Sequence, residues 1–122
     1  MSDMVDTAVR KFQKELNAGT IALVLLAILK RSETPLYGYQ IAKQLESVAT
    51  DGMSVKQGTL YPVLRSLEAQ GLLSSRVEPS VTGPPRKYYA ITPDGSTVLA
   101  AWSDAWKHTR DFVETTLEGG RG

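Results

Sequence analysis

The stretch KQGTLYPVLRSLEAQGLL, Lys56 to Leu73, followed from Arg86 by RKYYAITPDG, decides how this chain folds. Leu60, Val63, Leu64 and Leu67 fall on one face of a helix over roughly 56–70. Gly71 closes that helix, because a residue that accepts the left-handed conformation is favoured just past a helix end. Then the period changes. Residues 72–78 and 86–92 read as two strands, the second carrying β-prone Tyr88, Tyr89 and Ile91. Between them, Pro79 to Pro85 is too rich in proline and glycine for regular structure and reads as a hairpin tip. Pro62 conflicts with a straight helix, since proline removes a backbone hydrogen bond and crowds the preceding turn. Either the regular helix begins near Thr59, with Pro62 in its first turn, or it bends there.

Working outward, Ile41, Ala42, Leu45 and Val48 form the apolar stripe of a helix over Tyr37–Val48, and Asp51-Gly52 is a turn signal. A helix, a glycine-marked turn and an amphipathic helix make a helix-turn-helix candidate, and a hairpin directly after it makes a wing. Ser32 to Leu36, with Pro35, reads as a connection. Thr20 to Arg31 is apolar almost all round and should sit centrally, with Lys30 and Arg31 suiting the negative end of the helix dipole. Before it, Val5, Val9, Phe12 and Leu16 mark one face of a separate helix that stops at Asn17-Ala18-Gly19. At the other end, Thr92 can cap a helix, Pro93 suits its first position and Asp94 its positive end. That helix runs to about Leu117, and Leu99, Trp102, Trp106, Thr109 and Val113 trace a heptad seam along it. The expected fold is mainly α with a small β-hairpin. A winged helix-turn-helix spans 18–92, flanked by a helix over 1–17, a helix over 93–118 and a disordered tail over 119–122.

Composition narrows the function classes. The chain has 122 residues, no cysteine and one histidine, so disulfides, thiolate metal sites and a His-rich metal site are excluded. Net charge is only +1, but residues 1–93 hold eleven Lys/Arg against eight Asp/Glu while 94–122 hold three against five. A mildly basic front and acidic rear suit a DNA-binding front. The longest apolar run, Ile21 to Leu29, is well short of the roughly 20 residues of a membrane span, and the N-terminus has no secretory pattern. A soluble cytoplasmic protein is expected, with no membrane partner. There is no glycine-rich phosphate loop and no nucleophile–base pair, so no enzyme activity and no cofactor are expected.

Duplex DNA asks for a helix that offers polar side chains to the major groove, and for cations and hydroxyls that hold the phosphates. Ser54, Lys56, Gln57, Thr59 and Tyr61, then Arg65 one turn later, cluster at the start of the 56–70 helix. Gln57 can pair bidentately with adenine, Lys56 can reach guanine or phosphate, and Gly58 permits close approach of backbone. Arg86 and Lys87 flank the wing tip, and Tyr37 stands where the 37–48 helix begins, beside free amides that favour phosphate. Each has a plainer alternative. Tyr37 and Tyr61 would pack on the core, Arg65 would pair with Glu68, and Arg86-Lys87 would be an exposed strand end. The clustering on one surface carries the inference.

These segments resemble PadR-type regulators. Residues 56–73 are similar to the family's recognition-helix signature, Arg86 to Gly95 to its second wing strand and following helix start, and Tyr37-Gly-Tyr-Gln-Ile-Ala42 to its preceding helix motif. The resemblance covers about residues 18–117 and makes Pro62 a family feature. It implies a winged-helix repressor that dimerises on inverted-repeat operators and controls phenolic-acid stress, multidrug-export or antibiotic-related genes. Its single last helix resembles the compact, multidrug-responsive members. DNA contact would then fall to Tyr37, Lys56, Gln57, Thr59, Tyr61, Arg86 and Lys87. In those members a tryptophan followed by serine in the last helix lines a pore between subunits and stacks flat aromatic compounds, and Trp102-Ser103 matches that position.

A dimer is also expected on physical grounds. Val5, Val9, Phe12 and Leu16, and Leu99, Trp102, Trp106 and Val113, give two apolar faces that one winged helix has no obvious place to bury. Leaving aromatic side chains in water forgoes about 1.5–3 kcal/mol each, so a second copy is the natural cover. Two recognition helices would then stand about 34 Å apart, one turn of duplex. Trp102 and Trp106 are also candidate walls for a small aromatic effector, with their use as dimer core as the alternative. Asp104 and Asp111 are expected to be solvated and His108 exposed. The competing function is a winged-helix protein-interaction module without DNA affinity, whose binding would be insensitive to Lys56, Gln57 and Arg86.

Overall fold

The structure is a computed structural model, and it describes residues 2–48 and 57–119. The elements run α1 (Asp3–Arg31), β1 (Leu36–Tyr37), α2 (Gly38–Val48), α3 (Gln57–Ala69), β2 (Leu73–Glu78), β3 (Arg86–Ile91) and α4 (Pro93–Leu117). The helix-turn-helix, wing and last helix therefore follow the expected order. The Asp51-Gly52 turn, Ser54, Lys56 and most of the 119–122 tail lie outside the described residues.

Two expectations need correction. The helices read over 1–17 and 20–31 are a single helix of 29 residues that runs unbroken through Gly19. A glycine inside a helix costs only about 1 kcal/mol relative to alanine, and the Thr20 hydroxyl donates to the Leu16 carbonyl at 2.9 Å across the junction. The N-terminal segment is thus no separate unit. The wing is also not a lone hairpin. Leu36–Tyr37 adds a third, antiparallel strand, in the order β1-β3-β2, with Leu36 opposite Tyr89 and Tyr37 opposite Tyr88. Two residues are too short to show a period, which is why the sequence reads them as a connection.

Pro62 sits inside α3, which begins before Thr59. Proline deprives the Gly58 carbonyl of its helical partner, but Gly58 is exposed, so nothing forces that carbonyl into an apolar setting.

The core is one cluster. Ile21, Leu25, Leu26, Ile28 and Leu29 of α1 sit at its centre, packed by Ile41 and Leu45 of α2, by Leu60, Leu64 and Leu67 of α3, and by Leu36, Leu73 and Tyr89 from the sheet. By length and composition α1 is the one helix among the described residues that could cross a membrane. Its apolar stretch supplies Ile21, Leu25, Leu26, Ile28 and Leu29 to the core.

The end of α3 is built to place the wing. Gly71 adopts φ 80°, and the Gly71 and Leu72 amides donate to the Glu68 and Leu67 carbonyls at 2.9 and 3.0 Å. This is a left-handed helix stop that satisfies two orphan carbonyls. Thr92 caps α4 as its sequence suggests, accepting from the Gly95 amide at 2.9 Å and donating to the Gly71 carbonyl at 2.7 Å. The Gly95 Cα packs against the Leu72 carbonyl where a Cβ would collide with it. The start of α4 is in this way locked to the end of α3.

Candidate nucleic-acid interface

Helix α3 turns Leu60, Leu64 and Leu67 to the core, which leaves Gly58, Thr59, Pro62, Arg65 and Ser66 exposed on the other side. An α-helix in the major groove needs such a free polar face. Gln57 opens this helix.

Tyr61 leans the other way. Its ring lies over Gly38 at the start of α2, where an added Cβ would come within 2.5 Å of its hydroxyl. The missing side chain at Gly38 makes the notch that seats this ring. The Tyr37 amide is not free for a phosphate, because it donates to Gln40 Oε1 at 3.1 Å. What Tyr37 offers is its ring. The Arg86 guanidinium lies 4.5 Å from the ring centroid, and Tyr88 meets the ring edge-on at 5.3 Å. Tyr39 stacks on Tyr37 at 6.4 Å, and Lys43 sits 5.6 Å from the Tyr39 ring.

The two adjacent wing cations part company. Alternation along β3 sends Lys87 to the same face as Tyr89, toward α3, and Arg86 to the face of Tyr88, toward Tyr37. Lys87 Nζ is 3.0 Å from Glu68 Oε1 on α3, and the other carboxylate oxygen accepts a short hydrogen bond from the Ser75 hydroxyl on β2. The Ser75 hydroxyl, then the Lys87 ammonium, hold the Glu68 carboxyl below its ordinary range. Glu68 in turn holds the Lys87 ammonium above its own. Among the described residues, Arg65 and Arg86 form no ion pair. The Arg65–Glu68 pair considered from the sequence does not form, because Lys87 occupies that carboxylate.

These elements close around a groove of about 350 Å³ lined by Tyr37, Tyr61, Arg65, Arg86 and Lys87, with Gly38, Pro85 and Tyr89. Five of the residues singled out in the sequence thus meet at one place. Thr59 lies exposed on α3 outside it. Cationic groups and tyrosine rings around a shallow opening suit a phosphate backbone. Sequence reasoning weighed Glu68 only as a partner of Arg65 and missed its pairing with Lys87 and Ser75, and it gave Tyr39 and Lys43 no role.

A second opening, of about 460 Å³, lies between α1 and α4 and is lined mainly by Leu16, Gly19, Leu23, Trp102, Ala105 and Trp106. Both tryptophans named from the sequence reach it. The seam expected to meet a second copy is only partly free. Leu99 and Trp102 pack on the core of their own chain, since the first turns of α4 lie against α1. Trp106 and Val113 remain exposed, as do Val5, Val9, Phe12 and Leu16 on α1. Asp104, Asp111 and His108 are exposed.

The sequence model described as "Transcriptional regulator PadR-like family" matches residues 25–101. The chain is 35% identical to a PadR family transcriptional regulator of Eggerthella lenta, whose crystal structure it matches with TM-score 0.84 over 97% of this chain and 99% of that one. It is 36% identical over 91 residues to the transcriptional regulator Rv3488 of Mycobacterium tuberculosis, covering 74% of this chain and 75% of that protein. It is 26% identical over 106 residues to the transcriptional regulator YqjI of Escherichia coli, covering 87% of this chain. The chain spans about half the length of that relative, 46%.

Proposed function

This chain belongs to the PadR-like family of transcriptional regulators, a family of regulators rather than enzymes, and from that premise we propose that it is a cytoplasmic, homodimeric repressor that binds an inverted-repeat operator. Helix α3 enters the major groove. Lys56, Gln57 and Thr59 reach base edges or neighbouring phosphates, with Ser54 beside them. Arg65 and Arg86, framed by Tyr37 and Tyr61, hold the phosphate backbone. The observation that carries this reading is the groove where α3, the start of α2 and the tip end of the wing strand β3 converge, with Arg65 and Arg86 in no ion pair among the described residues. A gel-shift titration of the flanking intergenic DNA at two salt concentrations tests it. Binding should weaken steeply with salt and weaken further in Gln57→Ala and Arg86→Ala. A specific shift unchanged in both variants would overturn the contact assignment, and binding to a protein partner unaffected by them would favour an interaction module instead.

The outward faces of α1 and α4 support the dimer, and the opening beside Trp102 and Trp106 supports an effector. A flat aromatic compound stacked on these rings that prefers a dimer with mis-spaced recognition helices lowers DNA affinity by its differential affinity for the two shapes. Tryptophan fluorescence with a panel of flat aromatic compounds is the check. Quenching that persists equally in Trp102→Ala would place the ligand elsewhere.

A further inference from the structure

Lys87 stands among the phosphate contacts when the sequence is read alone, yet its ammonium points toward α3 and is already neutralised there. Glu68 grips two strands at once, taking Lys87 of β3 with one carboxylate oxygen and Ser75 of β2 with the other. Arg86 is the chain neighbour of Lys87 on the opposite face of β3. Whatever fixes Lys87 against α3 therefore fixes where Arg86 stands relative to Arg65. Those two arginines line the groove from different elements, and a duplex backbone can meet both only if their spacing is held.

On this basis, which rests on the DNA reading above, we propose that Glu68 is a positioning residue that fastens the wing to the recognition helix, with Lys87 serving that brace rather than a phosphate. A cation already paired with a carboxylate displaces no counterion from DNA, so it adds nothing to the salt dependence of binding. Among the described residues Arg86 and Arg65 have no such partner, and they carry that dependence.

The test is a charge swap. Glu68→Lys, Lys87→Glu and the double variant are titrated against a labelled duplex of the flanking intergenic DNA at several salt concentrations, with thermal melts in parallel. Each single variant opposes two like charges across the brace: Lys87→Glu should lose about tenfold or more in affinity, and Glu68→Lys should bind more weakly than the parent chain despite the positive charge it adds near the duplex. The double variant keeps the net charge, restores the pair and should return to within about threefold of the parent chain, with an unchanged slope of log affinity against log salt. A double variant as weak as Lys87→Glu, with the slope reduced by about one, would mean that Lys87 touches phosphate and would overturn the brace. So would single variants that melt earlier but bind DNA like the parent, since Glu68 would then serve stability alone. If the parent chain itself shows no salt-sensitive shift, the DNA reading fails and the brace has nothing to position.

Discussion

Helix α1 is two regions in one. Its second half, from Ile21, is the centre of the core, where Leu25 and Leu26 are 0% exposed; its first half carries Val9 and Phe12 at 56% and 61%. At 100° per residue the two apolar stripes point in roughly opposite directions around the helix. Val5, Val9, Phe12 and Leu16 therefore face away from the core that Ile21, Leu25 and Ile28 build. The far half of α4 behaves like the first half of α1, with Phe112 at 72% and Leu117 at 81%. The difference teaches a division of labour. The DNA-reading unit is satisfied within one chain, whereas the arms are apolar surfaces that one chain leaves open.

The largest expected effect tests the arms. If they meet a second copy, Phe12→Ala is counted twice in each dimer. It should cost about 3–6 kcal/mol of association, on the order of a hundred- to ten-thousand-fold in the dissociation constant. Sedimentation equilibrium over a dilution series reads this directly. An association constant equal to that of the parent chain would remove the α1 arm from any interface and break the comparison.

The same truncation in the body should act on folding instead. Leu64 on the core face of α3 is 0% exposed, so Leu64→Ala is expected to lower stability by about 2–5 kcal/mol. Denaturant melts at a fixed protein concentration check it, because a dimer's apparent stability depends on concentration. A loss below about 1 kcal/mol would mean the body is loosely packed.

Two glycines sharpen the contrast between body and site. A Cβ at Gly95 would strike the Leu72 backbone carbonyl, which cannot swing aside. Gly95→Ala should therefore cost about 1–3 kcal/mol by overpacking. A Cβ at Gly38 would instead meet the outer atoms of the Tyr61 ring at 2.5–2.9 Å, and that side chain can rotate away. Gly38→Ala should leave the melting temperature nearly unchanged while weakening DNA binding as Tyr61 leaves its notch. A variant at Gly38 that melts early but binds normally would reverse the assignment of the two glycines.

The body was legible in the sequence because its signals are local and redundant. Gly71 marked a left-handed stop, Thr92-Pro93 marked a cap, and the stripe at Leu60, Leu64 and Leu67 marked a buried face; all three stand in the structure. Gly19 misled because a glycine weakens a helix without ending it when packing beyond it continues the helix. The site was half legible. Period and composition brought Tyr37, Tyr61, Arg65, Arg86 and Lys87 to one surface, but not their partners. Whether Lys87 faces a phosphate or Glu68 is decided by a contact nineteen positions away that no local pattern encodes.

The smallest expected effect concerns that contact. Glu68→Gln keeps an acceptor for Ser75 but removes the charge facing Lys87. The pair is partly exposed, with side chains 32% and 41% accessible, so the cost near neutral pH should stay below about 1 kcal/mol. Its pH dependence identifies it. A carboxyl whose affinity for protons is lowered on folding stabilises above the unfolded value near 4.3, and that contribution disappears as pH falls through the lower folded value. An ammonium whose affinity is raised on folding stabilises below the unfolded value near 10.4, and is lost as pH rises through the higher folded value. The difference in melting temperature between the parent chain and Glu68→Gln should hence be flat from about pH 5 to 10 and shrink toward zero in acid. A difference that survives undiminished at pH 2 would mean that shape, not charge, joins the wing to the recognition helix. The separation of Lys87 from Arg86 would then lose its electrostatic basis.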